Sequence, residues 1–194
     1  MANQNANATK VITGKVRLSY ANLFVPRAGK PGDEEKYSVC LLIPKSDKKT
    51  LMLIKAAIEA AKVAGVAKLG GKVPSNLKTP IHDGDVDKDL DESPEYAGCY
   101  FMNVSAKQKP AVVGTERDIE GKLIPITDPT EVYSGCYARV SVNLAAYNHP
   151  AGGKGIGAYL NNVQKMADGE SLGGGRSRAD DDFGDDSDDD NMLG

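Results

Sequence analysis

From Cys136 to Tyr147 the sequence alternates two kinds of side chain. The even positions (Cys136, Ala138, Val140, Val142, Leu144, Ala146) are apolar throughout. The odd positions present Tyr137, Arg139, Ser141, Asn143 and Tyr147, with Ala145 between them. A period of two is that of a strand whose two faces meet different surroundings. Rings, a guanidinium and small polar groups need not be packed. Rings can stack flat ligands such as bases, and the cation can hold a phosphate. The stretch from Cys99 repeats the arrangement: Tyr100, Met102, Val104 and Ala106 form the apolar side, while Phe101, Asn103, Ser105 and Lys107 form the mixed side, with Lys109 just beyond. Lys15 and Arg17 stand on the polar side of the alternating run Lys10 to Tyr20, and Tyr159 and Asn161 on a last run near the C-terminus.

Aromatics interleaved with cations on successive strands are what sequence-tolerant binding of a single strand requires. Every base has a π-face, worth about 1–3 kcal/mol when stacked. Each neutralised phosphate adds about −0.7 to the slope of log K against log salt. Phe101, Tyr137, Tyr147 and Tyr159 are the expected stacking residues, and Lys15, Arg17, Lys107, Lys109 and Arg139 the expected phosphate contacts. The same rings could instead pack beneath a helix or loop, and Lys15 with Arg17 alone would mark no more than a solvated strand face.

Charge points the same way. The formal net charge is −3, but eight aspartates lie in the last stretch of chain, which has no base: Asp180, Asp181, Asp182, Asp185, Asp186, Asp188, Asp189 and Asp190. Without them the body holds 24 bases against 19 acids, a net of +5. A basic body on an acidic tail suggests a polyanionic ligand and a tethered competitor for it. Phe183, Met192 and Leu193 are the few apolar residues there that a protein partner could grip.

Other motifs carry little. The acidic run from Asp83 to Asp91 has Lys88 where an EF-hand loop needs glycine and Pro94 where it needs glutamate. A metal-dependent nuclease or strand-processing enzyme using this cluster is the alternative reading. Gly152-Gly153-Lys154-Gly155 lacks the upstream glycine and the hydroxyl residue of a phosphate-binding loop. Cys40, Cys99 and Cys136 are odd in number and widely spaced, and only His82 and His149 are histidines, so neither a disulfide framework nor a structural zinc is expected. No nucleophile motif stands out, and the expectation is a non-enzyme with no cofactor and no metal. Apolar runs are far shorter than the roughly 18 residues of a membrane span, and the polar N-terminus has no secretory character.

The elements that must position these residues follow from patterning. Lys10 to Tyr20 predicts a strand with Ile12, Val16, Leu18 and Tyr20 inward. Asn22 to Glu34, with two prolines and two glycines, predicts a loop, and Lys36 to Ile43 a second strand ended by Pro44. Ser46 is placed to cap a helix opening at Asp47, with Leu51, Ile54, Ile58 and Ala61 at helical spacing and Gly65 as its stop. Gly70 to Pro80 reads as a connection and Asp83 to Glu95 as an acidic loop. Gly98 to Lys107, Gly135 to Tyr147 and Ile156 to Gln164 read as strands, with a pairing stretch at Pro110 to Thr115 and a turn-rich link from Ile124. The expected fold is mainly β with one substantial helix: an OB-type Greek-key barrel over residues 10–166. A flexible N-terminus (1–9), a Gly/Ser-rich linker (167–178) and a disordered acidic tail (179–194) complete it.

Several long segments resemble the phage-encoded single-stranded-DNA-binding proteins long catalogued as a domain of unknown function. They are YSVCLLIPKSDKKT, LKTPIHDGD, PEYAGCYFMNVSAKQKPAVV, EVYSGCYARVSVNLAAYN and GIGAYLNNVQKMADGESLGG, together spanning roughly residues 10–175. The resemblance implies an OB-fold that coats ssDNA with little sequence preference in phage replication or recombination, in the cytoplasm of an infected bacterial host. It also implies a homodimer, and an acidic tail that contacts phage or host replication and recombination proteins. The tail residues expected to do so are Asp180, Asp181, Asp182, Phe183, Asp185, Asp186, Asp188, Asp189 and Asp190. Tails in that family commonly end in an aromatic residue, whereas Phe183 is internal here.

Overall fold

Alternating strands and one helical stretch set the element order of the computed structural model, which describes residues 8–172. The strands are β1 (Lys10–Ile12), β2 (Val16–Arg27), β3 (Lys36–Pro44), β4 (Ile81–Asp83), β5 (Cys99–Ala106), β6 (Ala111–Arg117), β7 (Leu123–Pro125), β8 (Tyr137–His149) and β9 (Gly153–Ala167). Helix α1 (Lys48–Ala64) follows β3, and the one-turn helix α2 (Gly84–Asp87) follows β4. The expected N-terminal arm, most of the linker and the acidic tail fall on residues 1–7 and 173–194, outside the described residues. The expected partner-binding residues Asp180, Asp181, Asp182, Phe183, Asp185, Asp186, Asp188, Asp189 and Asp190 therefore all lie outside the described residues.

Strand β8 pairs antiparallel with β9 along one edge and with β1 and β2 along the other. Strand β2 pairs with β3 and β3 with β5, both antiparallel, and β5 joins β9 in parallel. The circuit β8–β2–β3–β5–β9 therefore closes on itself, giving the five-stranded ring of an OB-type barrel. Strands β6 and β7 extend from β9 outside the ring, and β4 adds to β5. The even positions of β8 from Ala138 to Ala146 are all buried and meet Leu18, Leu41, Ile43, Met102, Val104, Leu160 and Val163 in one core, to which α1 adds Ile54, Ala57, Ile58 and Ala61. No helix among the described residues is long and apolar enough to cross a membrane.

Asp47, rather than Ser46, caps α1. Its carboxylate accepts from Thr50 N at 3.1 Å and from Thr50 Oγ1 at 2.6 Å. Thr50 Oγ1 in turn accepts from Gly14 N at 2.8 Å, tying the helix to the break between β1 and β2. Across that break the alternation shifts: Val11 and Thr13 are buried, and Ile12, expected inward, faces solvent. The buried Thr13 hydroxyl accepts from Val140 N at 3.0 Å. Strand β2 then runs to Arg27, through what composition predicted as a loop. Leu23 anchors it in the core, and Pro26 sits where the register with β3 is irregular. Within it, Tyr20 is the only described non-glycine residue with positive φ (48°). Left-handed backbone costs a residue with a Cβ on the order of 1–2 kcal/mol. Tyr20, expected inward, is 67% exposed. The acidic stretch is no simple loop either, since β4, α2 and a 3-10 turn (Pro94–Tyr96) order much of it.

Gly65 ends α1 where the helix meets β8, and a Cβ built there would overlap that of Ala146. Overpacking of this kind costs about 1–3 kcal/mol. Gly65→Ala should lower the melting temperature by about 2–12 °C. An unchanged melting curve would mean that the helix is free to move off β8.

Candidate nucleic-acid interface

Residues opposite one another in a ladder share a face, so the register sorts the outward side chains of the ring into rows. One row runs Tyr137, Arg17, Leu42, Phe101, His82 across β8, β2, β3, β5 and β4. A second runs Asn22, Ser38, Ser105, Tyr159, Asn143, Lys10 across β2, β3, β5, β9, β8 and β1.

In the first row, Lys15 Nζ lies 5.5 Å and Arg17 Cζ 5.9 Å from the centre of the Tyr137 ring. Arg17 also donates from Nε to Gly135 O (3.2 Å) and from Nη2 to Glu170 O (2.7 Å). Arg139, exposed two residues along β8, donates from Nε to Thr13 O at 3.4 Å. Residues 168–172, the start of the segment expected as a linker, lie across this part of the barrel. The Tyr133 hydroxyl is 3.1 Å from Asp168 Oδ1 and 2.9 Å from Gly169 O, and Leu172 N donates to Ser134 O at 2.8 Å. The Lys165 ammonium, with help from the Tyr133 hydroxyl, holds the Asp168 carboxyl below the usual carboxylate range.

In the second row, Tyr159 is 44% exposed. It lines an open groove of about 660 Å³ with Lys107, Lys109, Ser105, Asn161 and Asn162. Lys107 pairs with Glu34 at 3.0 Å, both well exposed, and Lys109 Nζ stands 5.8 Å from the Phe24 ring. The outward face of β8 joins the two groups. Arg139 lies opposite Gln164, Ser141 opposite Asn162, and Asn143 opposite Tyr159. From Tyr137 to Asn143 that track spans roughly 20 Å at the rise of a strand.

Two expected stacking residues are placed elsewhere. Phe101 is only 6% exposed and is enclosed rather than offered to a ligand. His82 stacks on it at 5.1 Å, Tyr96 meets it edge-on at 5.1 Å, and Lys88 Nζ lies 5.0 Å from its centre. With Cys40, Leu42 and Tyr96 it forms a second small core, closed at the side by Leu172. The acidic segment after β4 thus acts as a cover over β3 and β5. Lys45 fastens it, reaching Asp83 at 2.6 Å and Asp85 at 2.7 Å. That ammonium, with the Gly98 N–H, holds the Asp85 carboxyl below its ordinary range, and the two carboxylates push the Lys45 pKa up. Tyr147 stands apart at the far end of β8, its ring lying over Gly155.

Lys10 and Ile12 were missed by sequence reasoning. They lie beside Asn143 and Ser141 on the outward face of the track. Gly14, by breaking the strand, was the signal that the alternation shifts there.

A family model described as the ssDNA-binding protein of Enterobacter phage Enc34 matches residues 9–193. The chain belongs to this phage ssDNA-binding family. Putative protein p50 of Acyrthosiphon pisum secondary endosymbiont phage 1 is 32% identical over 172 residues, which cover 86% of this chain and 88% of that protein. The single-stranded DNA-binding protein of bacteriophage Enc34, solved in complex with ssDNA, superposes with a TM-score of 0.70 at 29% identity, covering 85% of this chain and 90% of that one. The single-stranded DNA binding protein gp2.5 encoded by bacteriophage T7 shares the fold, with a TM-score of 0.61 at 15% identity over 92% of this chain and 99% of that one. The family and these structures are DNA-binding proteins, not enzymes, which sets aside the nuclease alternative for Asp83 to Asp91.

If Phe101 serves the small core and not the ligand, Phe101→Leu should cost about 0.5–3 kcal/mol of stability. Its affinity for oligo-dT should stay within about twofold of the parent's. A tenfold loss of affinity in the folded variant would return Phe101 to the interface.

Proposed function

We propose that this chain coats single-stranded DNA without sequence preference during phage replication or recombination. The strand follows the outward face of β8. Bases stack on Tyr137 and Tyr159, and Tyr147 extends the face at its far end. Lys15, Arg17, Arg139, Lys107 and Lys109 take the phosphates. The observation that carries this reading is the pair of cations against the Tyr137 ring, joined by a polar strand face to the Tyr159 groove. A stacked ring contributes about 1–3 kcal/mol per base whatever the base, and five engaged cations give a salt slope of about −3.5. The exposed ion pair of Lys107 with Glu34 is worth little, so a phosphate can replace the carboxylate.

The acidic tail acts on the same surface. The carbonyl of Glu170 meets Arg17 of the cationic cluster, and the acidic stretch begins ten residues further along the sequence, at Asp180. A tethered polyanion there competes with DNA at high local concentration. Its charges are the three aspartates Asp180, Asp181 and Asp182, the pair Asp185 and Asp186, and the run Asp188, Asp189 and Asp190. Strand binding releases these carboxylates, with Phe183 among them, to phage or host replication and recombination proteins. Pairing with a second copy is the remaining part of the reading.

Tyr137→Ala combined with Arg139→Ala should weaken oligo-dT binding by about 2 kcal/mol, or roughly 30-fold, and leave folding intact. Parental affinity in the folded double variant would discard this site. Truncation after Arg178 should raise oligo-dT affinity, more at low salt than at high salt. Equal affinity of the two forms at low salt would remove the tail from the mechanism.

A further inference from the structure

Tyr20 lies outside the track along β8, yet it is the most anomalous side chain on the barrel surface. It is an aromatic ring, 67% exposed, on a residue that alone among the described non-glycines adopts left-handed backbone. Such a conformation persists where the surroundings over-determine it, and it gathers at ligand-binding sites. Here the cause is a bulge. The register of β2 with β3 passes from Ser19↔Cys40 to Asn22↔Ser38, so Tyr20 and Ala21 together oppose a single residue. Asn22 Nδ2 donates to Tyr20 O at 3.2 Å, and Ala21 N donates to Ser134 Oγ at 3.1 Å, fixing the kink from both sides. Bulges re-aim side chains. This one keeps Leu18 and Leu23 in the core and turns the ring to solvent.

Tyr20 borders a prepared surface. Tyr20 lines an open groove of about 430 Å³ with Asn22, Arg27, Gly29 and Ser38. Asn22 begins the second outward row, which crosses Ser38 and Ser105 and reaches Tyr159. Three strand spacings, roughly 15 Å, separate β2 from β9. The floor between the two rings is thus made of small hydroxyl side chains, with Arg27 at one end and Lys107 and Lys109 at the other. Beyond the Cys40–Asn103 position the acidic cover occupies the neighbouring row over Leu42 and Phe101, and its carboxylates bar a polyanion from that side.

We propose that Tyr20 is a base-stacking residue, and that single-stranded DNA crosses β2, β3, β5 and β9 over Ser38 and Ser105 between the Tyr20 and Tyr159 rings. This rests on the ssDNA-binding reading and adds a limb to its path. The bulge serves as the positioning device, holding the ring outward at the expense of backbone comfort.

The chain has no tryptophan, so Tyr20→Trp places a single tryptophan at the site, which can be excited apart from the tyrosines. Its fluorescence should be strongly quenched on saturation with oligo-dT, with affinity within about threefold of the parent's. Tyr20→Gly removes the ring and suits the left-handed backbone. Its melting temperature should stay level or rise while its Kd for oligo-dT rises about tenfold. Its salt slope should match the parent's, because a ring neutralises no phosphate. Unquenched tryptophan at saturation, or parental affinity in the glycine variant, overturns the inference while the parent still binds. A parent chain that ignores oligo-dT in dilute buffer overturns the broader reading, and this one with it.

Discussion

Closure of the sheet along β8 is the constraint on which everything else depends. That strand pairs with β9 along almost its whole length and with β1 and β2 along its other edge. A slip of one residue would exchange its two faces, putting Arg139 and Asn143 inside and Val140 and Val142 in water. The register is pinned where slippage would begin. The buried Thr13 hydroxyl takes the Val140 N–H, and Arg139 reaches the Thr13 carbonyl. On the β9 side a bulge at Asn161 lets Leu160 and Val163, three residues apart, both enter the core. The polar outward surface of β8 is thus the reverse of the packing that closes the barrel.

The outer surface is divided by charge. Over β3 and β5 the barrel is covered by an acidic segment that Lys45 holds down through two carboxylates. Beneath it Tyr96, 2% exposed, supplies the ring that seals Phe101. Around β8, β9 and the start of β2 the outward groups are cationic, aromatic or small and polar. A polyanion is attracted to one region and repelled by the other, so the cover acts as a fixed bank along its path. This is a different device from the aspartates near the C-terminus, because the cover is built into the fold.

The sequence was most legible where one element carries both of its surroundings in its own alternation. Strand β8 is such a case, and its inner and outer residues lie where a period of two puts them. The same rule misled at Phe101. A covered outer face and an open one look alike along β5, and the cover arrives from His82 and Tyr96, which no local pattern connects to it. Composition misled at Asn22 to Arg27, because prolines and glycines nearby outweighed the single core anchor, Leu23. Ile12 and Tyr20 were assigned inward for one shared reason: each lies next to a break in the ladder, at Gly14 or after Ser19, and a break reverses the alternation beyond it. Asp47 took the cap from Ser46 because only its carboxylate serves Thr50 and, through Thr50, Gly14.

The Tyr137 ring has two cations beside it. Lys15 and Arg17 both approach Tyr137, the ring on which the proposed reading stacks a base. An exposed cation–π contact is worth about 0.5–1 kcal/mol, less than the 1–3 kcal/mol of a stacked base, so on the proposed reading a base is the stronger partner for the ring. The two cations are not equally free to leave. Arg17 is tied to the carbonyls of Gly135 and Glu170, whereas Lys15 sits on the bend after Gly14. On the proposed reading Lys15 is therefore the cation that moves to reach its phosphate, whereas Arg17 meets its own from where the two carbonyls hold it. On that reading one weak contact is exchanged for a stronger one, and the displaced charge is reused nearby on a phosphate.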